Sequence, residues 1–270
     1  MFGLASRAAA ECKTPRTLLS HSSGLANFIS FGEPDHKLRL HFKPGTRFAY
    51  SGEGLNLLQF VIETKLGEPL DVAMQRDLFA PLGMARTGMV WREDFAANTA
   101  LRYGADGRYL DTTHRDHPRA AGSMATTIGD LGRFTEALLS GKTMRRATRD
   151  RMLTPVVSIN AAHQFPPFAE ATSNEGPSVG LAYGIGWGLL TQTRYGPAFF
   201  KEGHGDGAEN YLICFTRSGT CMILLTNSDN GELAFRPLLD RLIGDTVTPW
   251  EFEGYNREGI LQNEEHTPSK

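Results

Sequence analysis

The stretch "ENYLICFTRSGTCMILLTN", residues 209–227, decides the fold class. Its hydrophobic pattern has a period of two on both sides of Ser218-Gly219, which predicts a strand, a tight turn and a second strand. Upstream, "YGIGWGLLTQ" (183–192) has the same period, and downstream "AFRPLLDRLIGDTV" (234–247) has the spacing of a helix. Strands in series that end in a helix predict an antiparallel sheet in an α+β fold.

Before residue 179 the pattern is helical, because apolar residues recur at three- and four-residue spacing. We therefore predict a single domain over 1–270, with a mainly helical lobe at 15–178, antiparallel strands and a C-terminal helix at 179–247, and a polar tail at 248–270. The predicted helices lie in "LNLLQFVIETKL" (55–66), "PLDVAMQRDLF" (69–79), "TIGDLGRFTEALLSG" (127–141) and "RRATRDRML" (145–153).

Composition excludes several classes of function. The net charge is -2, from 28 basic and 30 acidic residues that are interspersed, so no basic patch for nucleic acid is expected. No stretch approaches the roughly 18 to 20 apolar residues of a membrane span. The opening "MFGLASRAAAECK" lacks the apolar centre of a secretory signal, which leaves the location unknown and cytoplasmic by default. A small neutral or anionic ligand fits best.

The cysteines and histidines give weak signals. Cys214 and Cys221 flank the predicted turn, and we expect two buried thiols rather than a disulfide, because the register is not known. "THRDHPR" (113–119) brings His114, Asp116 and His117 together, but it lacks a helical pair of ligands, so a solvated loop and no metal are expected.

Six segments, in order, resemble one family: the serine β-lactamase and penicillin-binding-protein superfamily, in its class C, DD-peptidase and esterase branch. The similarity covers residues 15–245. In that branch a Tyr-x-Asn motif opens a helix, and a third motif, Lys or His followed by x-Gly, lies on a strand. The segments are "TLLSHSSGL" (17–25), "PGTRFAYSGEGLNLLQFVIE" (44–63), "LFAPLGMARTGM" (78–89), "RAAGSMATTIGDLGRF" (119–134), "YGIGWGL" (183–189) and "GHGDGAENY" (203–211).

The resemblance implies a site in the cleft between the two lobes. Tyr50 would be the general acid/base, which requires a nearby positive charge that favours its phenolate. His204, at the third-motif position, would be that neighbour, and the backbone N–H of Gly207 would stabilise an oxyanion. Ser51, Gly52 and Asp206 would line the substrate site. The implied ligand is a small amide, β-lactam or ester, with no metal or organic cofactor.

The sequence also departs from the family. None of its serines is followed by lysine three residues later, so the Ser-x-x-Lys nucleophile is absent. About fifteen residues precede the first similar segment, so the N-terminal strands and the nucleophile helix are expected to be missing. Gly52 replaces the usual Asn, and Asp206 replaces a Gly. Ser51, Ser22 and Ser23 have no family reason to act as substitutes.

Three interpretations follow from these departures. The first is a serine hydrolase by descent, impaired or inactive as this chain. The others are a non-catalytic binding protein (pseudoenzyme) with the same cleft, and one part of a two-chain enzyme. The missing strands would leave "CMILLTN" (221–227) unpaired on one side, and such an edge predicts self-association.

Overall fold

The computed structural model describes residues 14–29, 35, 37–111, 114–142, 144–245 and 247–255. Helices dominate the first half of the described chain and strands the second. The helices are α1 (Pro15–Leu19), α2 (Gly52–Leu66), α3 (Leu70–Met74, continued by a π-helical turn Gln75–Phe79), α4 (Ile128–Ser140), α5 (Arg146–Met152), α6 (Glu175–Ser178), α7 (Phe235–Ile243) and α8 (Trp250–Glu253), with 3₁₀ helices at Glu93–Asn98 and Gly231–Ala234. The strands are β1 (Arg102–Tyr103), β2 (Tyr109–Leu110), β3 (Val157–Ser158), β4 (Leu181–Tyr183), β5 (Gly188–Leu190), β6 (Ala198–Gly205), β7 (Ala208–Phe215) and β8 (Thr220–Leu225).

The main sheet has six antiparallel strands in the order β3-β4-β5-β6-β7-β8. The predicted hairpin forms as expected, with Phe215 opposite Thr220 as the last pair before the turn. Gly219 takes a positive φ of 69° in that turn, a conformation that glycine adopts without steric cost. The predicted α+β fold with an antiparallel sheet is confirmed.

Both faces of the sheet are covered, which explains why β7 is apolar at almost every position. Tyr211 and Ile213 point to one face, where Phe235 of α7 packs in the same core cluster. Leu212 points to the other face, where Leu138 of α4 joins its cluster. The sheet is thus the central layer between α7 and α8 on one side and α4 on the other.

The two long helices of the first half begin and end at capping residues. Ser51 caps α2 by accepting the N–H of Gly54, and Thr127 caps α4 by accepting the N–H of Asp130. Gly67 ends α2 and Gly141 ends α4, each in the left-handed conformation. The helices predicted in "LNLLQFVIETKL" and "TIGDLGRFTEALLSG" are confirmed.

The expectation of two free thiols is wrong, because Cys214 and Cys221 form a disulfide. The two residues lie directly opposite each other in the β7–β8 ladder, with Cα atoms 4.1 Å apart. The register of the hairpin, which the sequence left open, decides the pairing.

The predicted polar tail is also wrong for the described residues 248–255. Trp250, Phe252 and Tyr255 are buried there, at 5%, 2% and 4% exposure, and pack into the core cluster with Phe235. Three aromatic side chains in six residues indicate a buried segment, although the residues around them are mostly polar. The remainder of the predicted tail, 256–270, lies outside the described residues.

β8 is the last strand of the described sheet. β8 pairs with β7 on one side, and no other strand of the described chain lies along its second edge. Residues 1–13 lie outside the described residues. The expectation that the N-terminal strands and the nucleophile helix are missing concerns this end of the chain. Of the described helices, none combines the length and apolar character needed to cross a membrane.

Candidate active site

Tyr50 lies at the entrance of α2, where the first lobe meets the sheet. Lys201 Nζ donates a hydrogen bond of 3.0 Å to the Tyr50 hydroxyl and lies 4.6 Å from the centre of its ring. Lys201 comes from β6, 151 residues later in the chain. The contact therefore joins the helical lobe to the strand that runs through the middle of the sheet.

Lys201 carries a positive charge at this site. Burial by itself lowers the pKa of its ammonium group, but the Coulomb interactions with Tyr183, Tyr50 and Glu202 outweigh burial and hold that pKa above its usual value. An ammonium group at hydrogen-bonding distance stabilises negative charge on a phenol oxygen. The site thus supplies the positive neighbour that a proton-transferring tyrosine requires.

His21 completes the surroundings of Tyr50. Its ring stacks on the Tyr50 ring at 4.1 Å between centroids, and its Nδ1 accepts the Ser51 N–H at 3.1 Å. Burial, followed by the charge of Lys201, lowers the pKa of His21 to about 3. A neutral imidazole therefore fixes the phenol ring without competing for its proton. The sequence comparison included His21 in "TLLSHSSGL" but assigned it no role.

Lys201 is the functional residue that the sequence analysis missed. The cation that contacts Tyr50 is Lys201 rather than the predicted His204, whose described contacts are with three glutamates and the Tyr255 ring. The signal was present, since Lys201-Glu202-Gly203 has the Lys-x-Gly pattern, whereas His204-Gly205-Asp206 ends in a carboxylate.

Ser51 and Gly52 are buried and serve the entrance of α2. The Ser51 hydroxyl donates to the Ala26 carbonyl at 2.8 Å and accepts from Gly54. The Gly52 N–H donates to Asn27 Oδ1 at 2.9 Å. A Cβ atom at residue 52 would lie 2.5 Å from the Phe28 ring, so a side chain at this position would require Phe28 to move. Neither predicted substrate-binding residue faces an open cleft.

Asp206 and Gly207 form the β6–β7 turn. The Gly207 N–H, predicted as an oxyanion donor, already donates to Asp229 Oδ1 at 2.5 Å. Asp206 is exposed, and its backbone carbonyl accepts from Arg102 at 3.5 Å. A carboxylate therefore occupies the position that an oxyanion would need. The role predicted for Gly207 therefore requires that its N–H leave the Asp229 carboxylate.

His204 lies among carboxylates on the same strand as Lys201. Its Nε2 is 3.3 Å from Glu202 Oε2, and its Nδ1 faces Glu209 and Glu232. Burial lowers the pKa of the imidazole, but hydrogen bonds to and charges of these glutamates raise it well above the usual value. Burial raises the pKa of Glu202, yet His204 and Lys201 bring that pKa down to about 2.

The loop residues His114, Asp116 and His117 are exposed. His117 and Asp116 contact each other but are 74% and 90% exposed, and His114 stacks on Trp91. Among the described residues, the group whose donor atoms could hold a metal ion is His204, Glu209 and Glu232.

Comparisons with known proteins agree with the fold and the family. The family model described as Beta-lactamase matches residues 6–245. Penicillin-binding protein 4 of Amycolatopsis lactamdurans is 25% identical over 268 residues, which is 90% of this chain and 67% of that protein. The chain spans between about half and two thirds of the length of the penicillin-binding proteins that it matches.

Solved structures show the same architecture. An octameric penicillin-binding protein homologue from Pyrococcus abyssi superposes with a TM-score of 0.66 at 20% identity, covering 91% of this chain and 59% of that one. A D-stereospecific amidohydrolase from Streptomyces has a TM-score of 0.66 at 20% identity, covering 86% of this chain and 73% of that one. At this level of identity the likeness extends to the fold alone.

Proposed function

Because the chain belongs to the β-lactamase family, we propose that Tyr50 and Lys201 form the proton-transfer centre of a hydrolase site for an amide, β-lactam or ester. The observation that carries the proposal is the 3.0 Å hydrogen bond from Lys201 Nζ to the Tyr50 hydroxyl. A tyrosine placed against a buried ammonium group can give up its proton and take it back, as a general acid/base must.

The proposed chemistry divides the roles among three side chains. Lys201 stabilises the phenolate of Tyr50, which accepts a proton from an attacking hydroxyl and returns it to the leaving group. Neutral His21 holds the phenol ring in place by stacking. Acyl transfer of this kind needs neither metal nor organic cofactor.

The nucleophile is the part that this sequence does not contain. Its 270 residues include no Ser-x-x-Lys, and the hydroxyl of Ser51 is buried and engaged with Ala26 and Gly54. We therefore propose that this chain provides the acid/base and sheet components of the site and forms no acyl-enzyme by itself. A second polypeptide with the nucleophile would make the enzyme complete.

The second candidate function is a binding protein that has kept the cleft and lost the chemistry. The occupied Gly207 N–H favours it, since an oxyanion would have to compete with the Asp229 carboxylate for this donor. The two candidates differ in one respect: residual turnover that depends on Tyr50.

Labelling and turnover test the proposal together. With a fluorescent penicillin, we expect intact-mass spectrometry to show no covalent adduct. With a chromogenic cephalosporin, we expect slow hydrolysis above the rate in buffer, because a positioned general acid/base contributes about 10²- to 10⁴-fold to a rate. Tyr50→Phe and Lys201→Met should lower this rate at least about 10-fold.

Matched variants control for general effects on the chain. Tyr109→Phe changes an exposed tyrosine (51%), and Lys142→Met changes a lysine that is 74% exposed, so both should keep the wild-type rate. Stoichiometric labelling mapped to any serine would refute the claim that the chain forms no acyl-enzyme. Hydrolysis no faster than buffer, or unchanged in Tyr50→Phe, would favour the binding protein.

A further inference from the structure

Four charged side chains meet at the end of β6, beyond the Tyr50–Lys201 contact. His204 and Glu209 are cross-strand partners in the β6–β7 ladder, and Glu232 arrives from the 3₁₀ helix Gly231–Ala234 that follows β8. His204 Nδ1 lies 3.1 Å from Glu209 Oε2 and 2.5 Å from Glu232 Oε1. Glu202 approaches the other ring nitrogen, Nε2, at 3.3 Å.

The hydrogen bonds of this cluster do not balance. A protonated imidazole has two N–H groups, and Glu202 takes the one on Nε2. The other nitrogen faces two buried carboxylate oxygens, Glu209 Oε2 and Glu232 Oε1, and its single N–H cannot satisfy both of them. The Glu232 side chain is only 5% exposed. A buried carboxylate oxygen that is left without a donor is costly.

Carboxyl groups outnumber the imidazole in this cluster. Three carboxylates surround one imidazole, and His204 is the cationic side chain that Glu209 and Glu232 contact within the described part of the chain. Lys201, which precedes Glu202 in the chain, donates its hydrogen bond to Tyr50. The ring thus has carboxyl oxygens on both sides, and imidazole with carboxylate oxygens is a donor set that a bound metal ion can use.

We propose that His204, Glu209 and Glu232 bind a divalent cation, with Zn²⁺ favoured. Their donor atoms all lie within 4.8 Å of one another, so small side-chain adjustments bring them to zinc distances of about 2.0 to 2.2 Å. Imidazole with carboxylate ligands suits zinc, and the affinity order places Zn²⁺ above Mn²⁺ at such a site. His204 is 30% exposed, which leaves room for water as a fourth ligand.

Glu202 supports this assignment through its contact with the other ring nitrogen of His204. Metal-binding histidines usually direct their other ring nitrogen to a carboxylate, which fixes the tautomer, and Glu202 is placed to do this for Nε2. Glu202 is itself held, since Tyr255 donates to its Oε2 at 3.1 Å and Gln164 donates to its Oε1. Nδ1 is thereby left to point its lone pair at the cation.

The turn before Glu232 is built for a close approach. A Cβ atom at Gly231 would lie 1.8 Å from Thr226 Oγ1, and Thr226 in turn hydrogen-bonds the Glu209 carbonyl. Only glycine lets the 3₁₀ helix sit this near to β7. A metal ion there would tie the β6–β7 hairpin to the segment after β8, independently of any chemistry at Tyr50.

Zinc binding to the whole chain tests the proposal. After dialysis against EDTA, we expect calorimetric titration with Zn²⁺ to give one ion per chain. Zinc at about 100-fold above the Kd should raise the Tm by about 5 °C or more. Glu232→Gln and Glu209→Gln should each weaken binding at least about 10-fold, since substitution of residues that only hydrogen-bond a metal ligand already causes such a loss. The control Glu136→Gln, at a 75% exposed site, should bind as wild type does.

Circular dichroism checks that each variant folds, and His204→Gln replaces either glutamate variant that does not. Cobalt(II) gives an independent readout, because its visible bands should appear with the wild type and vanish with His204→Gln. The proposal is overturned if no saturable binding is seen, or if the glutamate variants bind zinc as tightly as the wild type and Glu136→Gln.

Discussion

His21 should make this protein sensitive to acid in a way that one substitution removes. In the folded chain its pKa is about 3, against 6.5 for an ordinary histidine, because burial and the charge of Lys201 disfavour protonation. The rings of Tyr50 and Tyr183 pack against His21, and the charge of Glu202 favours protonation but is outweighed by burial and by the charge of Lys201. Below pH 6.5 the unfolded chain therefore binds a proton at His21 that the folded chain does not.

The sign and size of the effect follow from proton linkage. Protons bind the unfolded state more tightly, so the free energy of unfolding falls as the pH drops from about 6.5 towards 3, with a slope of about 1.4 kcal/mol per pH unit. Between pH 7.5 and 4.5 the loss from His21 is about 2.5 kcal/mol. At pH 4.5 this number barely changes if the folded-state pKa is one unit higher, because the folded chain still binds little proton there.

His21→Asn isolates this contribution. Asparagine tolerates the positive φ of 50° at this position, and its amide oxygen can accept the Ser51 N–H. Urea unfolding at four pH values from 7.5 to 4.5, followed by tryptophan fluorescence, gives both curves. We expect the wild type to lose about 2.5 kcal/mol more than the variant over this range. His117→Asn, at a 74% exposed ring, should run parallel to the wild type. Parallel curves for wild type and His21→Asn would show that His21 is not held neutral and would refute the reasoning.

Two further predictions concern packing and association. Gly52→Ala should lower the free energy of unfolding, measured in urea, by about 1 to 3 kcal/mol, because its Cβ would lie 2.5 Å from the Phe28 ring. Gly132→Ala, in open space on α4, should raise the free energy of unfolding by about 0.5 to 1 kcal/mol. Equal effects of the two substitutions would contradict the packing argument. The purified chain should self-associate through the edge of β8, so that light scattering rises with protein concentration. Met222→Lys should suppress this rise, whereas Leu242→Lys, at a 65% exposed site on α7, should not. A wild type that stays monomeric at all concentrations would refute association through this edge.

The sequence predicted those elements whose pattern is local. Helices α2 and α4 carry a periodic apolar face between a capping Ser or Thr and a glycine, and the β7–β8 hairpin carries its turn residues, so propensity and periodicity agree there. The resemblance placed Tyr50 at the entrance of α2, where the structure also has it. In each case the information lies within about twenty residues.

Contacts between segments that are distant in the chain could not be predicted from local sequence patterns. The way β6 lies against α2 determines which residue contacts Tyr50. The sequence analysis placed the third motif three residues too late in the chain, and so assigned this contact to His204 instead of Lys201. The disulfide depended on register, and Glu232 reaches His204 only through the turn after β8. Such contacts depend on three-dimensional packing, which the spacing of residues along the chain does not determine.

The two candidate sites meet in Glu202. Its negative charge is one of the interactions that keep Lys201 an ammonium group, and its Oε2 is also the acceptor for His204 Nε2. Because Glu202 is almost fully buried, at 8% exposure, water screens neither interaction well. A cation bound at His204 would partly offset the negative charge of Glu202. The stabilisation of the Lys201 ammonium group by Glu202 would then be weaker. Strand β6 therefore carries the proposed proton-transfer pair and the proposed cation-binding cluster on either side of the Glu202 carboxylate, and a substitution at one site should change the electrostatic environment of the other.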